Sequence, residues 1–468
     1  MNKEMNLSED ELNFVKTEIE EIDVPSEIVD TGSFVISEDV KFVRVVWCDN
    51  ANIIRAKAVR IDSLEDFNFY VGISEAQQGV PVMFDGVIPE SGLNPVGEVQ
   101  LIGDMSTFRV LPYSKTQGRV MGNMMKNEIP WNYCPRGFLN KMIDEASKIG
   151  INIKGAFENE FYFLKVVDDI FEPLDTSPFA STYSMDKNLF IINEIIEALE
   201  KQGMEVQQYY PEAGPGQHEI TVKYADALAT CDNQIAFRET VKAIAGKNGL
   251  IASFLPKIFE EKAGSGCHLH LSLWKGKENI LGDSGNEYGI SDIGCHFMAG
   301  ILYHLPALMA ITTPIPNSYR RIKPNFWSGA FKCWGVDNRE AAVRGISETD
   351  GIMKHFEFKT LDASSNPYLA FGAIIAAGLQ GIKEKMELEK PLQLNPGALT
   401  DRELNENGII PLPSKLGEAI SELEKDNIIL SAMGNKLSRA YIAVKKAEMN
   451  AMEGLSLEEE VELLLDKY

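Results

Sequence analysis

The stretch GSGCHLHLSLW, Gly264 to Trp274, places His268, His270 and Ser272 at every second position, with Leu269, Leu271 and Leu273 between them. Side chains alternate across a strand, so the two imidazoles and the hydroxyl share one face while the leucines pack behind. The chain has 6 histidines, and two of them fall here, just past a glycine-rich turn. A strand with leucines behind it that places two imidazoles on one face calls for a ligand.

Other segments repeat the pattern. In GAFENEFYFL, Glu158 and Glu160 share a face opposite Phe157, Phe161 and Phe163. In HFEFKT, His355, Glu357 and Lys359 lie opposite Phe356 and Phe358. GQHEITV carries Glu219, and Glu212 precedes it in YYPEAGPGQHE. Together these runs predict a sheet with one apolar surface and one lined by carboxylates and imidazoles. An antiparallel sheet with a wet face produces such alternation routinely. Solvated faces, however, favour Lys, Thr and Ser over clustered Glu and His. Carboxylates sharing a cavity repel one another unless cations neutralise them. Five glutamates and one histidine suit two divalent cations, and so oxygen-rich a set favours Mg²⁺ or Mn²⁺ over Zn²⁺.

A second group is cationic: Arg320 and Arg321 in NSYRRIKPN, Arg339 and Arg344 in DNREAAVRG. Guanidinium grips carboxylate and phosphate in bidentate fashion. Two metals with several arginines are what a phosphoryl group in transfer requires. No GxxxxGK[ST] occurs, so a nucleotide here is not held by a P-loop.

The bulk properties agree with a soluble enzyme. A length of 468 residues predicts two domains. The net charge of −24, from 69 acidic and 45 basic residues, argues against a nucleic-acid partner. The 6 cysteines show no CxxC and no regular spacing, as expected of reduced thiols in cytoplasm. The N-terminus lacks a signal-peptide layout, and no uninterrupted apolar run approaches the roughly 20 residues that span a membrane.

Along the chain, residues 1–34 read as an acidic extension in which SEDELNFVKTEIEEI forms a capped helix. Residues 35–115 read as a small β domain opening with the hairpin KFVRVVWCDN and IIRAKAVRI, turning at Asp49-Asn50, and including a strand at VPVMF. From 116 to 468 helices alternate with the short strands above. The first helix starts at Pro135 and stops at Gly150, and others fit NLFIINEIIEALEKQG, DNQIAFRETVKAIAGKNG, YLAFGAIIAAGLQGIKEK and SKLGEAISELEKDN. The fold class is α+β.

These motifs, in this order, resemble the glutamine synthetase family: ENE at 158–160, EAGPGQHE at 212–219, GSGCHLH at 264–270, NSYRR at 317–321, NREAAVR at 338–344 and HFEFKTLDASSNPYLAF at 355–371. The likeness covers about residues 41 to 450. It implies a β-grasp N-terminal domain and a catalytic domain around a curved antiparallel sheet. It also implies ring-shaped homo-oligomers with active sites between neighbouring subunits. By motif match, Glu160, Glu212 and Glu219 correspond to ligands of one metal, and Glu158, His268 and Glu357 to ligands of a second. His270, Ser272, Arg344 and His355 fall where the family contacts ATP, with Tyr224 beside the adenine. Arg321, the Gly264 backbone and Lys359 match the glutamate side, and Arg339 matches a residue that meets the transferring phosphate. Asp49 matches an aspartate that helps bind ammonium across a subunit boundary. The implied reaction phosphorylates the γ-carboxylate of glutamate with ATP, after which ammonia or an amine expels phosphate.

Departures gather on the glutamate and nitrogen side. Ala263 replaces an asparagine, and His355 and Lys359 replace arginines. The flap reads NFWSG, leaving Trp327 where a glutamate helps bind ammonium. No tyrosine lies between Pro391 and Pro413, so control by adenylylation is expected to be absent. Metal ligands kept beside an altered acceptor side suggest a γ-glutamyl–amine ligase. The alternatives are glutamine synthetase proper and a non-catalytic sensor or scaffold, which would have shed the metal residues.

Overall fold

The hairpin expected around Asp49-Asn50 is present as β1 (Phe42–Cys48) and β2 (Ile54–Arg60), paired from Phe42↔Arg60 to Cys48↔Ile54. The computed structural model describes residues 39–61, 69–168 and 170–468. The acidic N-terminal extension and its helix lie outside the described residues. Three more strands, β3 (Tyr70–Ser74), β4 (Glu98–Leu111) and β5 (Ser114–Lys126), complete a sheet of order β2-β1-β5-β4-β3, with one further short strand paired to β5. β1 runs parallel to β5, the pairing expected of a β-grasp sheet. Alternate residues Val43, Val45, Trp47, Val99, Leu101, Val120 and Met124 form its core. β5 carries this sheet past residue 115. VPVMF is not a strand: Pro81 has no N–H for a ladder, and its carbonyl accepts from Phe84 N at 3.3 Å to close a turn.

The second sheet is eleven-stranded. Its main path uses β6 (Asn152–Val167), β7 (Val206–Pro211), β8 (Gln217–Val222), β9 (Cys267–Lys275), β10 (Trp334–Val336), β11 (Val343–Ser347) and β12 (Met353–Phe358). The order is β10-β11-β12-β9-β6-β8-β7, antiparallel except for β10 with β11. Helices α1 (Pro135–Lys148), α2 (Thr182–Lys201), α3 (Ala227–Lys247), α4 (Asp292–Thr312) and α5 (Pro367–Glu384) belong to the same body. The apolar strand positions meet three of them ring to ring: Phe161 with Phe237 of α3 (6.3 Å), Phe356 with Phe297 of α4 (6.2 Å) and Phe157 with Phe371 of α5 (6.5 Å). The opposite face is left for the polar residues.

α4 is the core helix of this body. Its 21 residues are long and apolar enough to cross a membrane, which no other helix among the described residues matches. With 72% of that window buried inside the protein, its apolar surface is already used by the core. Near the C-terminus, α6 (Asn435–Ala451) joins the two cores, since Ala440 packs into the first and Leu437 and Tyr441 into the second.

A carboxylate-lined cavity as candidate active site

Strand register assembles the polar face. β6 lies at the centre, with Glu158 opposite His268 of β9 and Glu160 opposite Glu219 of β8. On the far side of β9, His270 pairs with Glu357 of β12, which in turn pairs with Arg344 of β11. Directly opposed residues have their Cβ atoms about 5 Å apart, close enough to share a ligand. His268 Nδ1 is 3.2 Å from Glu158 Oε1 and 3.1 Å from Glu357 Oε1, and His270 Nε2 is 3.1 Å from Glu158 Oε2. Glu160 Oε2 accepts from Gly266 N at 2.9 Å, and Tyr210 donates to Glu219 Oε1 at 2.6 Å. Lys359 Nζ lies 2.9 Å and Arg344 3.3 Å from Glu357. The face opens into a cavity of about 940 Å³ lined by Glu158, Glu160, Glu212, Glu219, His268 and Glu357 together with Arg321, Arg339, Arg344 and Lys359.

The charges in this wall are not balanced from within. Burial, reinforced by Glu158 and Glu160, pushes the Glu219 carboxyl up to about 10. Burial and Glu160 raise Glu212 to about 7. Burial also opposes ionisation of Glu158, but hydrogen bonds from His268 and His270 outweigh it and leave its pKa lowered. Carboxylates that prefer protons at neutral pH are carboxylates waiting for cations. Among the described residues, His268 Nε2 is buried without a partner. Glu158, His270 and Glu357 also offer three ligand atoms within 4.8 Å of one another. The donor set therefore fits divalent cations, and both imidazoles, not His268 alone, lie within reach of the Glu158–Glu357 pair.

Arg321 is buried beside the cavity, donating to Leu361 O at 3.0 Å, and its side chain covers Gly264. A Cβ at Gly264 would come within 2.6 Å of both Arg321 Cγ and Pro256 O. Because the carbonyl is backbone, it has little room to yield. Gly264→Ala is expected to cost about 1–3 kcal/mol and to shift Arg321, read as a lower melting temperature.

Tyr224, His270, Ser272 and His355 stand apart from the cavity lining, His270 and Ser272 on β9, His355 on β12 and Tyr224 just past β8. The His270 and His355 rings are 5.2 Å apart, and burial with the neighbouring His270 lowers the His355 pKa to about 4. Ser272 accepts from Trp274 Nε1 at 2.8 Å. Tyr224 stacks on Trp274 at 5.9 Å, and Lys154 Nζ lies 4.8 Å over the Trp274 ring. Trp274 and Lys154 escaped notice in the sequence, although Trp274 occupies the next same-face position after Ser272, and Lys154 shares its face with Glu158.

Two sequence candidates lie elsewhere. Asp49 is fully buried in its own chain, where Oδ1 accepts from Ala51 N (3.0 Å) and Ile53 N (2.8 Å) and Oδ2 pairs with Arg55 at 2.5 Å. With both oxygens engaged and no exposed surface, a role across a subunit boundary finds no geometric support. Arg320 is a tie to helix α7 (Leu457–Leu464), through Glu460 at 2.8 and 3.0 Å.

Known proteins resemble this chain over most of its length. The model of the glutamine synthetase catalytic domain matches residues 132–464. Type-1 glutamine synthetase 1 of Dictyostelium discoideum is 37% identical over 92% of this chain and 90% of its own length. The glutamine synthetase of Pyrococcus horikoshii is 34% identical over 87% and 89%. Among solved structures, a novel glutamine synthase homolog superposes with a TM-score of 0.81 at 28% identity, covering 92% of this chain and 99% of that one. The ADP complex of GmaS superposes with 0.80 at 26%, covering 92% and 97%. The family uses ATP and divalent metal ions to join glutamate to ammonia or an amine. By sequence, fold and the chemistry of its cavity, this chain belongs to the glutamine synthetase family of ATP-dependent ligases.

Proposed function

We propose that this enzyme is a γ-glutamyl–amine ligase, and the observation that carries the reading is the apolar share of the cavity lining. Phe179, Met185, Tyr209, Phe326 and Trp327 line the cavity together with the carboxylates. Phe326 and Trp327 are 55% and 59% exposed, apolar rings presented to an incoming molecule. Trp327 adopts φ 53 and Asn325 φ 65, a left-handed backbone that costs a bulky residue about 1–2 kcal/mol. Such a wall covers the alkyl part of an amine and gives ammonium nothing to bind. The reading of the chain as a glutamine synthetase using ammonium draws on the names of its curated relatives.

Arg321 and the Gly264 backbone hold the donor carboxylates, with Lys359 steering Glu357 beside them. Tyr224, Ser272, His270, Arg344 and His355 hold ATP, with Trp274 under the base. Glu160, Glu212 and Glu219, and Glu158, His268 and Glu357, would hold two divalent cations, Mg²⁺ or Mn²⁺, which neutralise phosphate oxygens and polarise the transferring group. Arg339 meets the phosphoryl oxygens as the γ-carboxylate attacks, forming an acyl phosphate and leaving ADP. The neutral amine then attacks the acyl carbon, a C–N bond replaces the C–O bond to phosphate, and inorganic phosphate departs with the proton that the nitrogen loses. Bulky rings at the mouth exclude the water that would hydrolyse the intermediate. The active protein is proposed to be a cytoplasmic ring-shaped homo-oligomer with sites between subunits.

Phosphate release from ATP with Mg²⁺ and glutamate, driven by ammonium or by single primary amines, tests the reading. An amine should surpass ammonium; ammonium surpassing every amine overturns the reading. Trp327→Ala is expected to lower kcat/KM for alkyl amines about tenfold while changing the ammonium value little. Equal losses for both nucleophiles would mean that the ring only packs the flap.

A further inference from the structure

The flap segment Lys323–Ser328 is held by its backbone. Ser328 Oγ accepts from Lys323 N at 3.0 Å and donates to Lys323 O at 2.9 Å, and Asn325 Oδ1 accepts from Asn395 Nδ2 at 2.9 Å. Trp327 N donates to Glu340 Oε1 at 3.0 Å. Glu340 is 6% exposed, and among the described residues its second oxygen, Oε2, is buried without any donor. An unpaired buried carboxylate oxygen is costly, and such groups persist where something else supplies the donor. Glu340 sits between two residues of the cavity wall: it follows Arg339 in the chain and is bonded to Trp327. The flap NFWSG itself carries no acid.

We propose that Glu340 is the carboxylate that receives the cationic nitrogen nucleophile: Oε2, which has no donor, accepts from the ammonium group of the acceptor once the Trp327 N–H bond to Oε1 has opened. The assignment rests on the ligase reading above and deepens it, naming which group recognises the charge of the acceptor while Trp327 covers its alkyl part. An amine enters as its cation, a single buried carboxylate selects it by charge, and the cation gives up a proton to Oε2 before its lone pair attacks the acyl carbon.

Substitution separates this role from simple support of the flap. Glu340→Gln keeps an oxygen for Trp327 N–H and loses the charge. It is expected to raise KM for the preferred amine, or for ammonium, about tenfold or more, with the KM for glutamate unchanged. Hydroxylamine is uncharged at neutral pH, so hydroxamate formation should be retained. Glu340→Asp keeps the charge and should recover cation use in part, guarding against a folding defect in the glutamine variant. Glu340→Ala frees the flap and should weaken both nucleophiles. A glutamine variant that loses amide and hydroxamate formation equally, or neither, overturns the assignment and leaves the ligase reading intact. A wild-type protein that forms no amide with any nitrogen nucleophile overturns both.

Discussion

Glu357→Gln is expected to reduce ligase turnover about a thousandfold, because a bound metal contributes several kcal/mol of charge stabilisation in phosphoryl transfer. Glu357 meets three cationic partners, His268 at 3.1 Å, Lys359 at 2.9 Å and Arg344 at 3.3 Å. A neutral amide would leave those cations facing one another and repel a divalent ion. Binding to the folded state alone stabilises it, by about 2.7 kcal/mol at one hundred times Kd. The wild-type melting temperature should therefore climb with Mg²⁺, and that climb should vanish in the variant. Turnover within tenfold of wild type, with an undiminished Mg²⁺ shift, would place the metals elsewhere.

The second large effect is a pH dependence that divalent ions reverse. In the absence of metal, the folded protein holds a proton on Glu219 up to about pH 10 and on Glu212 up to about pH 7, against an ordinary value of 4.5. Between 4.5 and those values the folded state binds more protons than the unfolded one. Stability therefore falls as pH rises through that window. The Glu212 share is complete by about 7, and the Glu219 share continues to about 10. Glu158 and Glu357 act in the other direction, their lowered values contributing stability above 4.5 that is lost on acidification. Thermal melts in chelator should thus decline from mildly acidic to alkaline pH, and saturating Mg²⁺ should remove the decline by taking the place of the protons. Glu219→Gln should flatten the metal-free curve. A metal-free wild type whose melting temperature rises with pH would show that these carboxylates are not crowded together.

Much of the site was legible from alternation alone. His268 with His270, Glu158 with Glu160, and Glu357 between two phenylalanines each announce a strand with a chemical face, because period two is a local property of extended chain. Helix ends were equally local, as Pro135 at the start of α1 shows. VPVMF misled because its apolar content outweighed the missing donor at Pro81. The apolar length of α4 went unremarked because two histidines interrupt it. Asp49 matched a motif, and nothing in the motif recorded that neighbouring backbone and Arg55 occupy both of its oxygens.

By itself, then, the sequence determined the strand faces, the helix punctuation, the carboxylates and imidazoles that face the cavity, and the family. Tertiary structure alone decided who meets whom. The Glu158–His268 contact joins residues 110 positions apart, and the flap meets Glu340 only because two loops converge on one cavity wall. Periodicity is set by each residue's own backbone geometry, whereas register and burial come from packing the whole chain, and it is burial that turns ordinary glutamates into a site that demands cations.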